Sequence, residues 1–227
     1  MPPSRRQQQE HTRERLLEAA ERVFTARGFA GASVDQVAAE AGLTKGAVYS
    51  NFASKEALVV ALMRRRLEAS MSEVREQLAR SGPADFYAEA GREYQAEARR
   101  GAGWAMLVVE FWLYAMRHPP VRTVLADLEH ELRTQLAAFL DDLAAQGGGR
   151  PALPGYEMAA VHTALDIGIA LQALLDPERV SPSLYGTAVG LLGGEAPPGR
   201  DGRQPPPAPR HPGRPPDAAP GAGSSPS

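Results

Sequence analysis

Apolar side chains recur at intervals of three and four residues from His11 to Leu192, which is the spacing of one face of an α-helix. The first such stripe runs from Leu16 to Phe24, and Gly28 follows it in the position of a C-cap. No part of this region alternates apolar and polar residues as a half-buried strand would. The pattern therefore predicts an all-α fold.

Two short helices and the start of a longer one are predicted next, because a hydroxyl side chain stands in the N-cap position before each. The three caps are Ser33, Thr44 and Ser54, and the helix after Thr44 covers Lys45–Asn51. A glycine between the first two helices permits a tight turn. This arrangement predicts a helix-turn-helix over residues 33–52, a motif that places its second helix in the major groove of DNA.

The rest of the apolar pattern predicts five more helices. Pro119-Pro120 interrupts it, and the Gly- and Pro-rich residues 147–154 form a loop. The stretch Val161–Leu175 is apolar on nearly every side, which predicts a central helix or an interface helix, buried all round. The five helices are predicted over residues 84–99, 103–117, 121–143, 155–175 and 182–192.

Charge is unevenly distributed along the chain, although the net charge is only -2. Residues 1–66 hold 11 Lys/Arg and 7 Asp/Glu, whereas residues 67–192 hold 10 and 17. The first third is therefore the part suited to a polyanion. The chain has no cysteine, so neither a disulfide nor a Cys-ligated zinc site can form. Because no signal-peptide or membrane-span pattern is found, we expect a cytoplasmic protein.

The second helix of the predicted helix-turn-helix carries side chains suited to DNA. The Thr44 hydroxyl and the free backbone N–H groups of the first turn form a phosphate site. Gly46 leaves room for a sugar-phosphate strand, and the Tyr49 hydroxyl can donate to a phosphate. Lys55, in the first turn of the next helix, reaches the same backbone. Further positions on surfaces that meet base edges or phosphates are Lys45, Ala47 and Ser50.

The run from Thr44 to Leu58, TKGAVYSNFASKEAL, closely resembles the signature of the tetracycline-repressor (TetR) family, and the similarity covers about residues 12–60. The resemblance implies a dimeric regulator of transcription that binds a palindromic DNA operator and responds to a small molecule. It also implies DNA contacts from Ser33, Thr44, Lys45, Gly46, Tyr49 and Lys55, to which the surface of the second helix adds Ala47, Ser50 and Asn51. For Ser33, a purely structural capping role is an equal alternative.

These observations together predict four segments. Residues 1–10 form a flexible basic arm, in which Arg5-Arg6 either reaches a minor groove or is simply solvated. Residues 11–57 form the helix-turn-helix DNA-binding domain, and residues 58–192 form a helical ligand-binding and dimerisation domain. Residues 193–227, rich in Pro and Gly, form a disordered tail.

The acidic helical region is larger than DNA binding requires, and the family resemblance implies that it dimerises through residues 155–192 and encloses an inducer. Large, adaptable apolar groups between Trp104 and Met116 can line a pocket, with a place in the core as the alternative for each. Polar groups on apolar helices can orient a mainly apolar or aromatic effector. The predicted ligand-binding residues are Tyr94, Trp104, Glu110, Phe111, Trp112, Tyr114, His162, Asp166 and Gln172.

Two other classes of function are alternatives to this interpretation. The chain has no HExxH, Walker, GxGxxG or GxSxG pattern, so we expect no enzyme and neither a metal nor a cofactor. An effector-independent DNA-binding or architectural protein would have a packed body without a cavity. Activation rather than repression is also open, since it depends on where the operator lies.

Overall fold

The structure is a computed structural model that describes residues 4–83, 85–100, 103–147 and 149–194. Within these ranges it consists of nine helices and has no strand, which confirms the all-α prediction. The helices are α1 (Arg5–Gly31), α2 (Val34–Glu40), α3 (Lys45–Asn51), α4 (Lys55–Ser81), α5 (Phe86–Arg100), α6 (Gly103–Arg117), α7 (Pro119–Ala145), α8 (Gly155–Leu175) and α9 (Ser183–Gly193). Residues 195–227 of the predicted tail lie outside the described residues.

The helix-turn-helix begins and ends where its capping residues predict. The Ser33 hydroxyl accepts a hydrogen bond from the backbone N–H of Gln36 at 3.3 Å, and the Thr44 hydroxyl accepts one from Ala47 at 3.2 Å. Gly42 takes a φ of 63° at the turn between α2 and α3. Local chemistry thus sets the bounds of these two short helices.

The first ten residues differ from the prediction of a flexible arm, because α1 begins at Arg5. Ser4 and Gln7 form a capping box: the Ser4 hydroxyl accepts from the Gln7 backbone N–H at 3.3 Å, and the Gln7 side chain accepts from the Ser4 backbone N–H at 2.8 Å. A Ser-x-x-Gln sequence is a recognised helix start. The sequence therefore contains a helix-start signal at Ser4, which the prediction of a flexible arm did not include.

The helical path of α1 is interrupted at Gly28, which has φ 71° and ψ 169°. This conformation is open almost only to glycine. The chain changes direction there, and the next residue, Phe29, is buried with 5% of its surface exposed.

One hydrophobic core joins the helix-turn-helix to the helices that follow it. It takes residues from α1, α2, α3 and α4 and packs them against α6 and α7. The predicted inner face of α4 lies in this core: Leu58, Val59, Leu62 and Met63 are all buried. Because α4 is continuous from Lys55 to Ser81, the boundary predicted between residues 57 and 58 falls inside a helix.

A second core lies between the later half of α4 and helices α5, α7, α8 and α9. Helices α5 and α9 cross closely at Gly91 and Gly186, where a Cβ on Gly91 would lie 2.8 Å from the Gly186 Cα. Only glycines fit at such a crossing. Its largest buried side chains are aromatic: Tyr87, Phe86 and Phe139.

Helix α8 is less buried than its composition predicts. It is long and apolar enough to cross a membrane by length and composition alone, a test that core helices of soluble proteins also pass, yet only 28% of its most apolar window is buried inside the chain. Leu174 and Leu175 are 41% and 87% exposed. The prediction of burial on all sides is therefore wrong for the single chain.

Two glycines with the same backbone conformation allow the close approach of Glu110 to Gly28 to be tested. Gly82 has φ 74° and ψ 169°, but a Cβ there would meet nothing within 4 Å, whereas at Gly28 it would lie 2.5 Å from a Glu110 carboxylate oxygen. Gly82→Ala should lower the free energy of unfolding by about 1–3 kcal/mol through backbone strain alone. Gly28→Ala should lower it by about 1 kcal/mol more, because Glu110 must leave its hydrogen bond. Urea denaturation measures both, and equal losses would contradict the role given to Glu110.

Candidate nucleic-acid interface

Two arginines of α1 hold the ends of the helix-turn-helix in place. Arg15 donates a hydrogen bond to the Ala41 carbonyl, at the turn between α2 and α3, at 2.7 Å. Arg13 donates to the Asn51 carbonyl at 3.1 Å, and its guanidinium lies 4.4 Å from the centre of the Phe52 ring. The C-terminal carbonyls of both short helices are thus satisfied by α1.

The exposed surface of α3 carries the side chains predicted to contact DNA. Tyr49 is 50% exposed, and no hydrogen bond from its hydroxyl is found within the described part of the chain. Lys45 is exposed and pairs with Asp35 at 3.0 Å; the hydrogen bond and charge of Asp35 raise the pKa of Lys45 above its ordinary value. A Cβ at Gly46 would meet only the Thr44 hydroxyl, at 3.7 Å, so the fold itself does not require glycine there.

The remaining predicted positions on α3 are bonded within their own helix. The Ser50 hydroxyl and the Asn51 amide both donate to the Ala47 carbonyl, at 3.0 and 2.8 Å. Their donors are thus already in use, although their oxygen atoms are still able to accept. Ala47 itself is half-buried, and its backbone N–H is the group that Thr44 caps.

Lys55 lies in the first turn of α4, as predicted, but its ammonium group is also 4.3 Å from the centre of the Phe29 ring. Partial burial lowers the pKa of Lys55 below its ordinary value. A cation over an aromatic face is stabilised by the quadrupole of the ring. Lys55 therefore stabilises the packing of Phe29 against the start of α4, in addition to its predicted DNA contact.

Several of the basic residues in the first third of the chain form ion pairs between helices. Arg65 and Arg66 both bind Glu21 of α1, at 2.6 and 2.8 Å. Arg64 binds Glu131 of α7 at 2.5 Å. The run Arg64-Arg65-Arg66 therefore links α4 to α1 and α7.

Helix α6 connects this interface to the rest of the molecule. One carboxylate oxygen of Glu110 accepts a hydrogen bond from the backbone N–H of Phe29 at 2.7 Å. The Phe29 ring packs edge-on against Phe111, with centroids 5.1 Å apart, and lies 4.7 Å from Tyr114. Glu110, Phe111 and Tyr114 were predicted to line a ligand pocket. All three contact residues on the helix-turn-helix side of the molecule, and their role in a ligand pocket stays a prediction.

Tyr114 makes a further bond to the start of α4, where its hydroxyl donates to the Glu56 carboxylate at 2.9 Å. Burial opposes ionisation of Glu56, but hydrogen bonds from its own backbone N–H, Ser54 and Tyr114 outweigh it, so the pKa of Glu56 lies below its ordinary 4.5. The same bond raises the pKa of Tyr114.

Three other predicted ligand residues come together between α5 and α8. The Tyr94 hydroxyl donates to the backbone carbonyl of Asp166 at 2.8 Å, and His162 lies one turn before Asp166. Tyr185 of α9 completes this group; its ring stacks on Tyr94 with centroids 4.1 Å apart. Sequence reasoning missed Tyr185, for which the only signal was a tyrosine on a short apolar helix.

The last three predicted ligand residues lie elsewhere. The Trp104 ring lies beneath the Arg66 guanidinium, at 4.7 Å. Trp112 is half-buried against the first core. The amide of Gln172 donates to the Gly168 carbonyl of its own helix at 3.2 Å and is exposed.

Two family models match the chain. Residues 16–62 match the model described as bacterial regulatory proteins, tetR family, and residues 89–189 match the model described as BetI-type transcriptional repressor, C-terminal. The first match contains α2, α3 and the start of α4. The second contains most of α5 and helices α6 to α8, and ends within α9.

Individual proteins resemble the chain in both sequence and structure. The HTH-type transcriptional regulator UidR of Escherichia coli strain K12 is 32% identical over 127 residues, which are 56% of this chain and 63% of UidR. Salmonella enterica GusR superposes with a TM-score of 0.61 at 28% identity, over 80% of this chain and 95% of GusR. The multidrug binding protein EbrR, solved with proflavin, superposes with a TM-score of 0.53 at 30% identity, over 80% of this chain and 99% of EbrR.

The bond between Tyr114 and Glu56 predicts a pH-dependent effect of Tyr114→Phe. Because the pKa of Glu56 is lowered by folding, its contribution to stability is present above pH 4.5 and is lost as the pH falls below that value. Tyr114→Phe should therefore destabilise the protein at pH 7, and the destabilisation should shrink below pH 4.5. Urea denaturation of both proteins from pH 7 to pH 4 measures the difference, and a constant difference would show that the bond does not act through the ionised carboxylate.

Proposed function

The chain belongs to the tetR family of bacterial regulatory proteins, and from this premise we propose that it is a homodimeric repressor of transcription that a small molecule releases from a palindromic operator. Members of the family are transcriptional regulators, a class without enzymatic activity. The observation that carries the proposal is the exposed face of α3, held in place by α1 and joined to a larger helical body. We place its action in the cytoplasm, where bacterial DNA is found.

The proposed DNA contacts are Ser33, Thr44, Lys45, Gly46, Ala47, Tyr49, Ser50, Asn51 and Lys55. Tyr49 supports the proposal best, since half of this large side chain is exposed and its hydroxyl has no hydrogen bond within the described residues. Gly46 adds to it, because a glycine inside a helix costs about 1 kcal/mol relative to alanine and no contact among the described residues requires it. A closely approaching sugar-phosphate strand accounts for both features.

Binding to a duplex of arbitrary sequence tests the phosphate contacts without knowledge of the operator. Lys45→Ala should lower the slope of log affinity against log salt concentration by about 0.9, since one fewer counterion is released. Tyr49→Phe should weaken binding about threefold to tenfold without changing the slope, because it removes a neutral donor. Fluorescence anisotropy across a salt series measures both, with Arg80→Ala at the far end of α4 as the control. Unchanged affinity in both variants would refute the proposed interface.

The proposed dimer forms through an apolar face of α8 and α9. Leu184 and Leu191, two turns apart on α9, are 51% and 44% exposed, and Leu175 at the end of α8 is 87% exposed. Gly168 lies inside α8, where a Cβ would meet nothing within 4 Å. Exposed leucines beside a helix surface open to close approach are what an interface between two copies requires.

Introducing a charge at this face should separate the dimer. Leu175→Glu should raise the dimer dissociation constant at least about tenfold, because a desolvated, unpaired carboxylate would face the partner. Met116→Glu, at a position on α6 that is 63% exposed, is the matched control and should leave the dimer intact. Sedimentation equilibrium distinguishes the outcomes. A wild-type monomer at micromolar concentration, or a Leu175→Glu dimer as tight as the wild type, would contradict this interface.

The proposed release by an effector has two supports. The body matches a family described as a transcriptional repressor, and EbrR, which is 30% identical, binds the aromatic molecule proflavin. Helix α6 also provides a physical connection, since Glu110 and Tyr114 join the body to Phe29 and Glu56. A ligand that favours a body conformation with displaced α6 would shift the protein away from its DNA-binding state. The same connection would serve an activator, so the sign of regulation rests on the family description.

A further inference from the structure

Four polar side chains from three helices meet where α5, α8 and α9 pack together. The Tyr94 and Tyr185 rings are stacked with centroids 4.1 Å apart, and the Tyr94 hydroxyl donates to the Asp166 carbonyl at 2.8 Å. The Tyr185 hydroxyl lies 3.4 Å from Nδ1 of His162. We call Tyr94, His162, Asp166 and Tyr185 the α5–α8–α9 cluster.

His162 has an unfilled hydrogen-bonding position in this cluster. It is 8% exposed, and its Nε2 atom is buried with no hydrogen-bond partner among the described residues. Burial lowers the pKa of His162 to about 4, so the ring is neutral at pH 7. Buried ring nitrogens normally have a partner, and an orphaned one leaves a hydrogen-bonding position that a ligand or a water molecule can fill.

Asp166 is surrounded by protein and yet exposed. Desolvation raises the pKa of its carboxyl to about 6, although a large part of the residue remains accessible. A ligand can therefore reach Asp166 from outside the chain. At 100° per residue, Asp166 shares a face of α8 with His162 and lies opposite Gly168 and Leu175, so this face is separate from the proposed dimer face.

The charges around Asp166 favour a cation as the ligand. Arg66 of α4 favours the ionised form of Asp166, but less strongly than burial disfavours it. Arg66 is also hydrogen-bonded to Glu21 at 2.8 Å and lies over Trp104. His162 is neutral, and both tyrosine pKa values are raised, so neither hydroxyl ionises at pH 7. A ligand cation would offset the desolvation of Asp166, and the tyrosine rings offer it aromatic faces.

Resting on the proposed function, we propose that the α5–α8–α9 cluster is the effector site and that it binds an aromatic organic cation. The positive nitrogen lies beside Asp166, the apolar body packs against Tyr94 and Tyr185, and a polar atom of the ligand completes the hydrogen bonding of His162 Nε2.

Three molecules on one ring system test the charge that the cluster prefers. At pH 7.5, 9-aminoacridine is a cation, acridine is neutral, and acridine-9-carboxylate is an anion. Fluorescence titration of the full chain should show that 9-aminoacridine binds at least about tenfold more tightly than the other two, because only the cation gains the Asp166 carboxylate. Tighter binding of the neutral molecule or the anion would overturn the proposal, and so would the absence of binding by all three.

Two variants on α8 test whether the preference for the cation comes from the cluster. Asp166→Asn should remove the preference for 9-aminoacridine, whereas Glu157→Gln, an exposed carboxylate on the same helix, should keep it. Asp166→Asn should also fold with an unfolding midpoint at pH 7.5 no lower than that of the wild type, since it removes a desolvated charge. A preference that survives Asp166→Asn, or one that Glu157→Gln abolishes as well, would place the cation elsewhere.

The pH dependence gives a second readout. Affinity for 9-aminoacridine should fall about tenfold between pH 7 and pH 5, as Asp166 becomes protonated with its pKa of about 6, and should stay flat in Asp166→Asn. All of these titrations use protein without DNA. Failure of the duplex-binding experiment would therefore refute the proposed regulator without affecting this result, and failure here would leave DNA binding standing.

Discussion

The packing of Phe29 beneath α6 is the contact on which the rest of the structure depends. Its ring lies against Phe111 and Tyr114, the Lys55 ammonium lies over the ring, and its backbone N–H donates to Glu110. The turn at Gly28 brings Phe29 to this position, and no side chain fits where the Glu110 carboxylate approaches. One core then continues from the helix-turn-helix into α6 and α7, so the module is fixed to the body rather than tethered to it.

This fixed contact couples the helix-turn-helix to the helical body that follows it. The proposed DNA-contacting face of α3 is held by α1 through the bond from Arg13 to Asn51, and α1 and α4 both contact α6. The α5–α8–α9 cluster packs beside the second core through Tyr185, and α4 and α7 take part in both cores. A ligand that repacks the second core therefore acts on helices that also support α3, and two discrete packings of these helices would suffice to change the spacing of the two copies.

Local features of the chain were predictable from the sequence, and contacts across the chain were not. The bounds of α3 follow from the Thr44 cap and the residues next to it, and the inner face of α4 follows from its periodicity. The bond between Glu110 and Phe29 joins residues 81 positions apart, so spacing alone suggested a pocket residue. Exposure on α8 was missed because an apolar helix has the same composition in a core and at an interface. Tyr94, His162 and Asp166 were predicted as ligand residues because they are polar groups on apolar helices; they lie close together in the structure, and their role stays a prediction.

The central claim is that two helix-turn-helix modules, each fixed to its body, bind DNA at a separation that the proposed dimer sets. Selection of bound sequences from a pool of random duplex DNA tests it most directly. The expected result is enrichment of a palindrome whose half-sites lie at one spacing, about 10 base pairs between centres or a multiple of it. Half-sites recovered at many spacings would show that the modules are flexibly tethered, and a single half-site or no enrichment would contradict the paired, DNA-reading protein described above.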